Sequence, residues 1–283
     1  MKQTQQFINN ELQDLYPPDE IRWFIRLILE HVCGMSHTEQ ILRKDSIISS
    51  DDKEKIKKIV SRLVRMEPFQ YIIGETVFCN LLLHVSPAVL IPRPETAELV
   101  NIIIKDAKRQ STVNILDIGT GSGCIAIALA CSLPHAIISA IDVSLDAIAT
   151  AKANDANNHI NFQTCDILDS AAALNMFLVE NFDIIVSNPP YITESEKSAM
   201  SANVLDYEPY IALFVPDDNP LMFYEPIARF AKAKLKPVGK LYLEINPLFV
   251  TELKEMLENH GFKTIELLKD INSKYRFITA SMS

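Results

Sequence analysis

The alternation of apolar and polar positions changes period along the chain, and the changes divide it. The run from Glu20 to Val32 sets apolar residues at helical spacing, while Arg22, Arg26 and Glu30 take the opposite face. Ser50, Asp51 and Asp52 are placed to cap a second helix through Ile56, Ile59, Val60 and Leu63, which Pro68 ends. The charges from Asp51 to Lys58 read as its solvated face, and Trp23 as core for a small bundle. Between residues 71 and 92 the period shortens. Runs at 76–79 and 81–85 flank Asn80 as a hairpin joining two domains, and a third β-like run follows at 89–91. Ile91-Pro92-Arg93-Pro94-Glu95-Thr96 then opens a helix through Leu99, Val100, Ile103 and Ile104.

After residue 110, strands and helices alternate. Strands are predicted at 113–118, 136–141, 160–163, 182–187 and 240–245, with two closing runs at 263–268 and 275–280. Helices are expected over 122–132, after the cap Ser144, and through Leu253 and Leu257 up to Gly261. Such alternation argues for a doubly wound α/β sheet. The division is therefore a helical domain over 1–70, a β-hairpin linker over 71–92, and an α/β domain over 93–283.

Composition narrows the class. The longest apolar run, 124–131, is far shorter than the roughly eighteen residues of a membrane span, and the polar N-terminus lacks a signal-peptide core. A soluble cytoplasmic protein without membrane association is the expectation. The five cysteines form no CxxC pair and none lies near a histidine at ligand spacing, so neither a disulfide framework nor a metal site is expected. A net charge of −9 speaks against stable nucleic-acid binding, which draws on basic surface to neutralise phosphates.

Of seven glycines in the whole chain, three are Gly119, Gly121 and Gly123, directly after the first strand of the α/β part. Glycines at a strand-to-helix turn allow sharp bends and close approach of a ligand to the backbone. The spacing is not that of the dinucleotide fingerprint. Asp142, at the end of the second strand, is placed to accept both ribose hydroxyls of a nucleoside. Asp166 follows the third strand, where it can face an adenine amino group, with Ile167 as apolar contact to the ring.

Asn188-Pro189-Pro190-Tyr191 ends the fourth strand, the edge at which open α/β sheets hold ligands. Its chemistry suits transfer to a planar nitrogen. The Asn188 side-chain oxygen and a main-chain carbonyl near Pro189 can accept both N–H bonds of an amide or amine and so aim its lone pair. The consecutive prolines stiffen the loop and hold Asn188 extended, and Tyr191 offers a flat face.

Asp117-Ile118-Gly119-Thr120-Gly121-Ser122-Gly123-Cys124 together with Asn188-Pro189-Pro190-Tyr191 resembles the class I S-adenosylmethionine-dependent methyltransferases that act on nitrogen. Segments 68–74 and 90–96 and Tyr207-Glu208-Pro209 narrow the resemblance to the HemK/PrmC protein-glutamine N5-methyltransferases of peptide-chain release factors. The resemblance covers nearly the whole chain. It implies a Rossmann-like, mostly parallel seven-stranded sheet behind a small all-α domain that docks substrate. It implies S-adenosyl-L-methionine as cofactor, S-adenosyl-L-homocysteine as product, and the glutamine of a Gly-Gly-Gln loop in class I release factors as acceptor, the enzyme acting as a monomer. By the same resemblance the cofactor is held by Gly119, Thr120, Gly121, Ser122, Gly123 and Asp142, with Ile167 beside adenine and Asn188 touching it; Asp117, just before the loop, is a candidate by position for the amino group of the methionine tail, as Asp166 is for adenine. Asn188, Pro189, Pro190 and Tyr191 form the catalytic slot. Two departures stand out: Ile167 replaces an aromatic common in relatives, and Glu244-Ile245-Asn246-Pro247-Leu248 lacks the glycine and glutamine that usually follow the acid. The same acceptors suit an adenine-N6 methyltransferase acting on DNA or RNA, and a binding protein without catalysis is the remaining alternative.

Overall fold

The amphipathic front of the chain folds as a helical unit in the computed structural model, which describes residues 1–108, 112–157 and 159–283. Its helices are α1 (Lys2–Leu12), α2 (Pro18–Cys33), α3 (His37–Leu42), α4 (Ser50–Leu63) and α5 (Phe69–Ile73). Helix α2 starts on Pro18, whose missing N–H costs nothing at a first turn, and stops at Gly34 with φ of 63°. Ser49 caps α4 by accepting the Asp52 amide, one residue before the expected cap. The apolar stripes meet in a core of Ile8, Leu12, Phe24, Ile28, Leu29, Ile56 and Leu63. Trp23 does not join that interior. Phe24 and Phe69 fill the aromatic layer, and the indole lies against them with 39% of its surface exposed. Residues Ser201–Tyr207, far along the chain, group with this unit. The Tyr207 hydroxyl donates to the Arg65 carbonyl at 2.7 Å.

The second unit takes in Glu75–Met200 and Glu208–Ser283. It opens with a hairpin, β1 (Glu75–Phe78) and β2 (Leu81–His84), paired Phe78 to Leu81. Cys79 and Asn80 both have positive φ, the twist a two-residue hairpin turn requires. The expected run at 89–91 is not a strand. The Ile91 amide donates to the Glu208 carboxylate at 3.2 Å, so it has no strand partner to seek. Then come α6 (Pro94–Ala107), β3 (Val113–Ile118), α7 (Cys124–Ser132), β4 (Ala136–Asp142), α8 (Leu145–Asn154), β5 (Asn161–Thr164), α9 (Ser170–Met176) and β6 (Phe182–Ser187). They are followed by β7 (Ile192–Thr193), α10 (Ala202–Tyr207, in the first unit), β8 (Phe214–Val215), α11 (Tyr224–Lys234), β9 (Leu235–Glu244), α12 (Val250–Asn259), β10 (Thr264–Lys269) and β11 (Tyr275–Ser281).

Among the described residues, seven strands form one sheet in the order β10-β11-β9-β6-β3-β4-β5. The run from β9 to β5 is parallel, and β11 lies antiparallel to both its neighbours. Alternate side chains of β3 go to opposite faces. Val113 and Ile115 join one apolar layer with Leu99, Ile103 and Leu129. Leu116 and Ile118 join the other with Ile185, Tyr224, Ile227 and Leu253. Each fully buried Leu, Ile or Phe contributes about 1.5–3 kcal/mol relative to exposure.

Chain order reverses between β3 and β6, and a crevice opens there at the carboxyl ends of the strands. The hairpin is fixed near the same place. Asn154, at the end of α8, accepts the His84 amide at 2.7 Å and donates to the carbonyls of His84 and Ser122, both at 2.9 Å.

Helix α7 begins at Cys124 rather than Ser122, because Gly123 precedes it with φ of 81°. A Cβ there would stand 3.0 Å from Ile127 Cδ1 and 3.1 Å from Ala151 Cβ, so α7 and α8 meet too closely for a methyl group. Gly123→Ala therefore combines a left-handed backbone with a clash. The expected loss is about 2–4 kcal/mol, read as a lower midpoint in urea denaturation.

Candidate active site

The loops after β3, β4, β5 and β6 converge on a cavity of about 550 Å³, within the span typical of small-molecule sites. Of the residues expected to act, Gly119, Thr120, Gly121, Ser122, Asp142, Asp166, Ile167, Asn188, Pro189 and Pro190 line it. Asp117, Gly123 and Tyr191 stand behind the wall.

The glycine loop is pinned to the end of β4. Its Gly119 and Thr120 amides both donate to the Ile141 carbonyl, at 2.8 and 3.0 Å. The Gly121 amide donates to Asp142 Oδ2 at 2.9 Å, and the Ser144 amide to Oδ1 at 2.9 Å. Each Asp142 oxygen keeps a further lone pair for a ligand hydroxyl. Burial raises the Asp142 pKa, and the amides of Ser144 and Gly121 oppose that rise. Gly119 and Gly121 have φ of 74° and 55°, and open space lies where their Cβ atoms would be. In contrast to Gly123, these two leave room on the cavity side for a ligand against the backbone.

Asp166 is exposed, with Oδ1 accepting the Leu168 amide at 2.9 Å, and Ile167 is buried beside it. Asp117 is wholly buried. Its Oδ2 accepts the Thr120 hydroxyl at 2.7 Å, while Oδ1 lacks a well-formed hydrogen bond. Burial pushes this carboxyl up to about 7, against the Thr120 hydroxyl and the Ala126 amide. An acid left half-satisfied behind a glycine loop suits a cationic group in front of it. Cys124 also lines the cavity, but burial pushes its thiol up to about 12, so it stays protonated and is no nucleophile.

Asn188 follows β6, whose last residue, Ser187, donates to the Ile118 carbonyl at 2.7 Å and so ties the two site loops together. Hydropathy and motif did not reveal what holds the Asn188 loop. The Asn188 side-chain amide donates to Thr96 Oγ1 at 3.1 Å, and the Thr96 hydroxyl donates to Glu244 Oε2 at 2.7 Å. The Tyr191 hydroxyl donates to Glu244 Oε1 at 3.1 Å. Asn246 donates to the Tyr191 carbonyl at 3.0 Å and to Glu196 at 2.9 Å. Asn246 thus braces the loop from the end of the strand that carries Glu244. Nearby, Arg93 pairs with the buried Glu208 at 2.5 Å, which closes segment 91–93 against residue 208. An acid at the end of the fifth strand was the one sequence signal for this network.

Asp117 also makes stability depend on pH. Its folded pKa lies above the ordinary value, so between about pH 4 and 7 the folded chain keeps a proton that the unfolded chain has lost. Its contribution therefore weakens as pH rises through that window. Asp117→Asn is expected to lose less stability than wild type between about pH 5 and 8, as measured by urea denaturation.

Comparison with known proteins places this geometry. Residues 4–74 match the PrmC N-terminal domain and residues 96–206 the methyltransferase small domain. The chain is 43% identical to the release factor glutamine methyltransferase of Bacteroides thetaiotaomicron, over 99% of this chain and 100% of that one. It is 41% identical to the protein of that name from Flavobacterium psychrophilum, over 94% of each. The solved catalytic domain of hMettl16, in complex with an RNA hairpin of the MAT2A 3'UTR, has a TM-score of 0.54 at 14% identity, covering 83% of both chains. At that identity the likeness speaks for the fold alone, the mostly parallel sheet of class I methyltransferases. The chain belongs to the family of release factor glutamine methyltransferases.

Proposed function

We propose that this methyltransferase moves the methyl group of S-adenosylmethionine to the side-chain amide nitrogen (N5) of the glutamine in the Gly-Gly-Gln loop of class I release factors. The observation that carries the reading is Asn188 at the end of β6, facing the cavity beside the glycine loop, with its amide nitrogen already engaged by Thr96. The near full-length likeness to proteins bearing that name supports the substrate.

Gly119, Thr120, Gly121 and Ser122 hold the cofactor along the backbone of their loop, and Asp142 takes the ribose hydroxyls. Asp166 faces the adenine amino group, with Ile167 against the ring. Asp117 and Gly123 act from behind the wall. Asp117 places negative charge where the cationic amino-acid tail lies, and Gly123 fixes the turn. Bound S-adenosylmethionine supplies an electrophilic methyl on a sulfonium, whose departure as a neutral thioether needs no general acid.

Positioning is then the main task of the protein. The lone pair of an amide nitrogen is delocalised into its carbonyl, so the nitrogen attacks only when held and aimed. Asn188 Oδ1 accepts one N–H of the glutamine and a main-chain carbonyl near Pro189 accepts the other. Pro189 and Pro190 keep these acceptors from yielding. Tyr191 anchors the same rigid turn from behind, through its hydroxyl on Glu244. Orientation of this kind can supply several of the roughly 7–11 kcal/mol available from holding reactants in place. The nitrogen gives up one proton to solvent water as it gains the methyl. The helical unit over residues 1–70 docks the protein substrate.

With isotopically labelled S-adenosylmethionine, label is expected in a release factor and not in DNA or RNA. Label in nucleic acid would transfer the reading to adenine-N6, and label in none would end it. Asn188→Ala is expected to abolish transfer while cofactor binding, read by calorimetry, only weakens. Removing residues 1–70 is expected to raise KM for the release factor, and unchanged affinity would refute the docking role.

A further inference from the structure

Glu244 and Thr96 are each 2% exposed; Thr96 touches the cavity wall, Glu244 lies behind it, and the proposed reaction gives neither a role. Both nevertheless sit directly behind Asn188. We propose that Thr96 and Glu244 form a positioning relay that decides which way round the Asn188 side-chain amide is held.

The argument is one of hydrogen counting. A carboxylate has no hydrogen to give, so Glu244 must accept from both its neighbours, Thr96 at 2.7 Å and Tyr191 at 3.1 Å. A threonine hydroxyl carries one hydrogen. Thr96 gives it to Glu244 and can therefore only accept from Asn188, 3.1 Å away. The atom of Asn188 that meets Thr96 must then be the nitrogen. Its oxygen is left as the acceptor for the cavity, which the proposed reaction requires of it. Without the relay, the two ends of the amide are nearly equivalent in shape and either could face the substrate.

The same carboxylate reaches both ends of the Asn188–Tyr191 turn, one through Thr96 and the other through the Tyr191 hydroxyl. The Tyr224 hydroxyl donates to the Glu244 carbonyl at 3.0 Å, which fixes the strand end that carries the acid. Glu244 thus joins α6, the loop after β6 and the end of β9 at one point.

The relay depends on Glu244 being ionised. A proton on Oε2 would be given to Thr96, and the Thr96 hydrogen would turn to Asn188. The amide would then rotate and present its own N–H bonds to those of the substrate. Burial pushes Glu244 up to about 7, while the hydroxyls of Thr96 and Tyr191 oppose the rise. Glu95 on α6 adds to the rise and Arg276 on β11 works against it. Cys124 on α7 and Tyr224 on α11 also face the carboxylate, both in their neutral forms. Turnover is therefore expected to fall as pH drops through the Glu244 pKa.

The inference rests on the role given to Asn188 above, and the test separates the two. Steady-state kinetics are compared at saturating S-adenosylmethionine, with a release factor as acceptor, for wild type, Thr96→Val, Thr96→Ser, Glu244→Gln and Asn188→Ala. Valine keeps the shape of threonine without its hydroxyl, and serine keeps the hydroxyl. Thr96→Val is expected to lower kcat by about 10- to 100-fold, the scale of a misplaced reacting group. Its dissociation constant for S-adenosylmethionine should stay at the wild-type value, and Thr96→Ser should retain turnover. In Thr96→Val the acid limb of the kcat profile is lost, because no hydroxyl then couples Glu244 to Asn188. In Glu244→Gln that limb disappears. In protein labelled with [15N]asparagine, the Asn188 side-chain amide protons are slow to exchange in wild type and fast in Thr96→Val, without any substrate present. Wild-type kcat and exchange in Thr96→Val, with Asn188→Ala inactive, would overturn the relay and leave the proposed reaction standing. Equal losses in Thr96→Val and Thr96→Ser would reduce Thr96 to a packing residue. Full turnover in Asn188→Ala would instead remove the reaction on which the relay rests.

Discussion

The parallel pairing of β3 with β6 is the constraint on which the site depends. Parallel neighbours need crossover connections, and here these leave to opposite faces of the sheet. The loops after the two strands must part at their carboxyl ends, and the gap cannot be filled by either crossover helix. Ser187 closes the base of that gap by bonding to the Ile118 carbonyl. Everything placed in it afterwards, the glycine loop on one side and Asn188 on the other, inherits a fixed separation. A methyl donor and a nitrogen acceptor need such an arrangement, because neither is activated by a covalent step.

Acids near the gap differ in purpose according to how they are satisfied. Asp142 has a backbone amide on each oxygen and keeps lone pairs toward the cavity. Asp117 has one good partner and none of sound geometry on the other oxygen. Glu244 has two hydroxyl donors and faces the protein rather than the ligand. Burial raises all three pKa values, yet the consequences diverge. On the proposed reading the first accepts ligand hydroxyls, the second faces a cationic tail, and the third anchors the Asn188 turn. Net charge told nothing of this, since it counts acids without their partners.

Much of the second unit could be read from sequence because its signals are local. A continuous apolar run such as 182–187 has few alternatives to a buried parallel strand, and three glycines after a strand have few alternatives to a tight turn. The readings that failed needed partners distant in sequence. Ile91 looked like part of a strand until Glu208 was seen to take its amide. Trp23 looked like core until Phe69 was seen to occupy the layer. Helix α11 escaped notice because Pro226 stands in its first turn and Lys234 falls on its buried face. Thr96 and Glu244 lie 148 positions apart and meet only through the fold, so no periodicity could have linked them.

The three glycines after β3 look alike in sequence but answer to different demands. Gly119 and Gly121 keep space clear on the ligand side, while Gly123 is confined by Ile127 and Ala151 on the protein side. A descendant of this chain that had abandoned its chemistry would thus be free to change the first two and obliged to keep the third. The loop therefore records two histories, of catalysis and of folding, and a related chain in which only the third glycine survives would be a folded protein that has lost its cofactor.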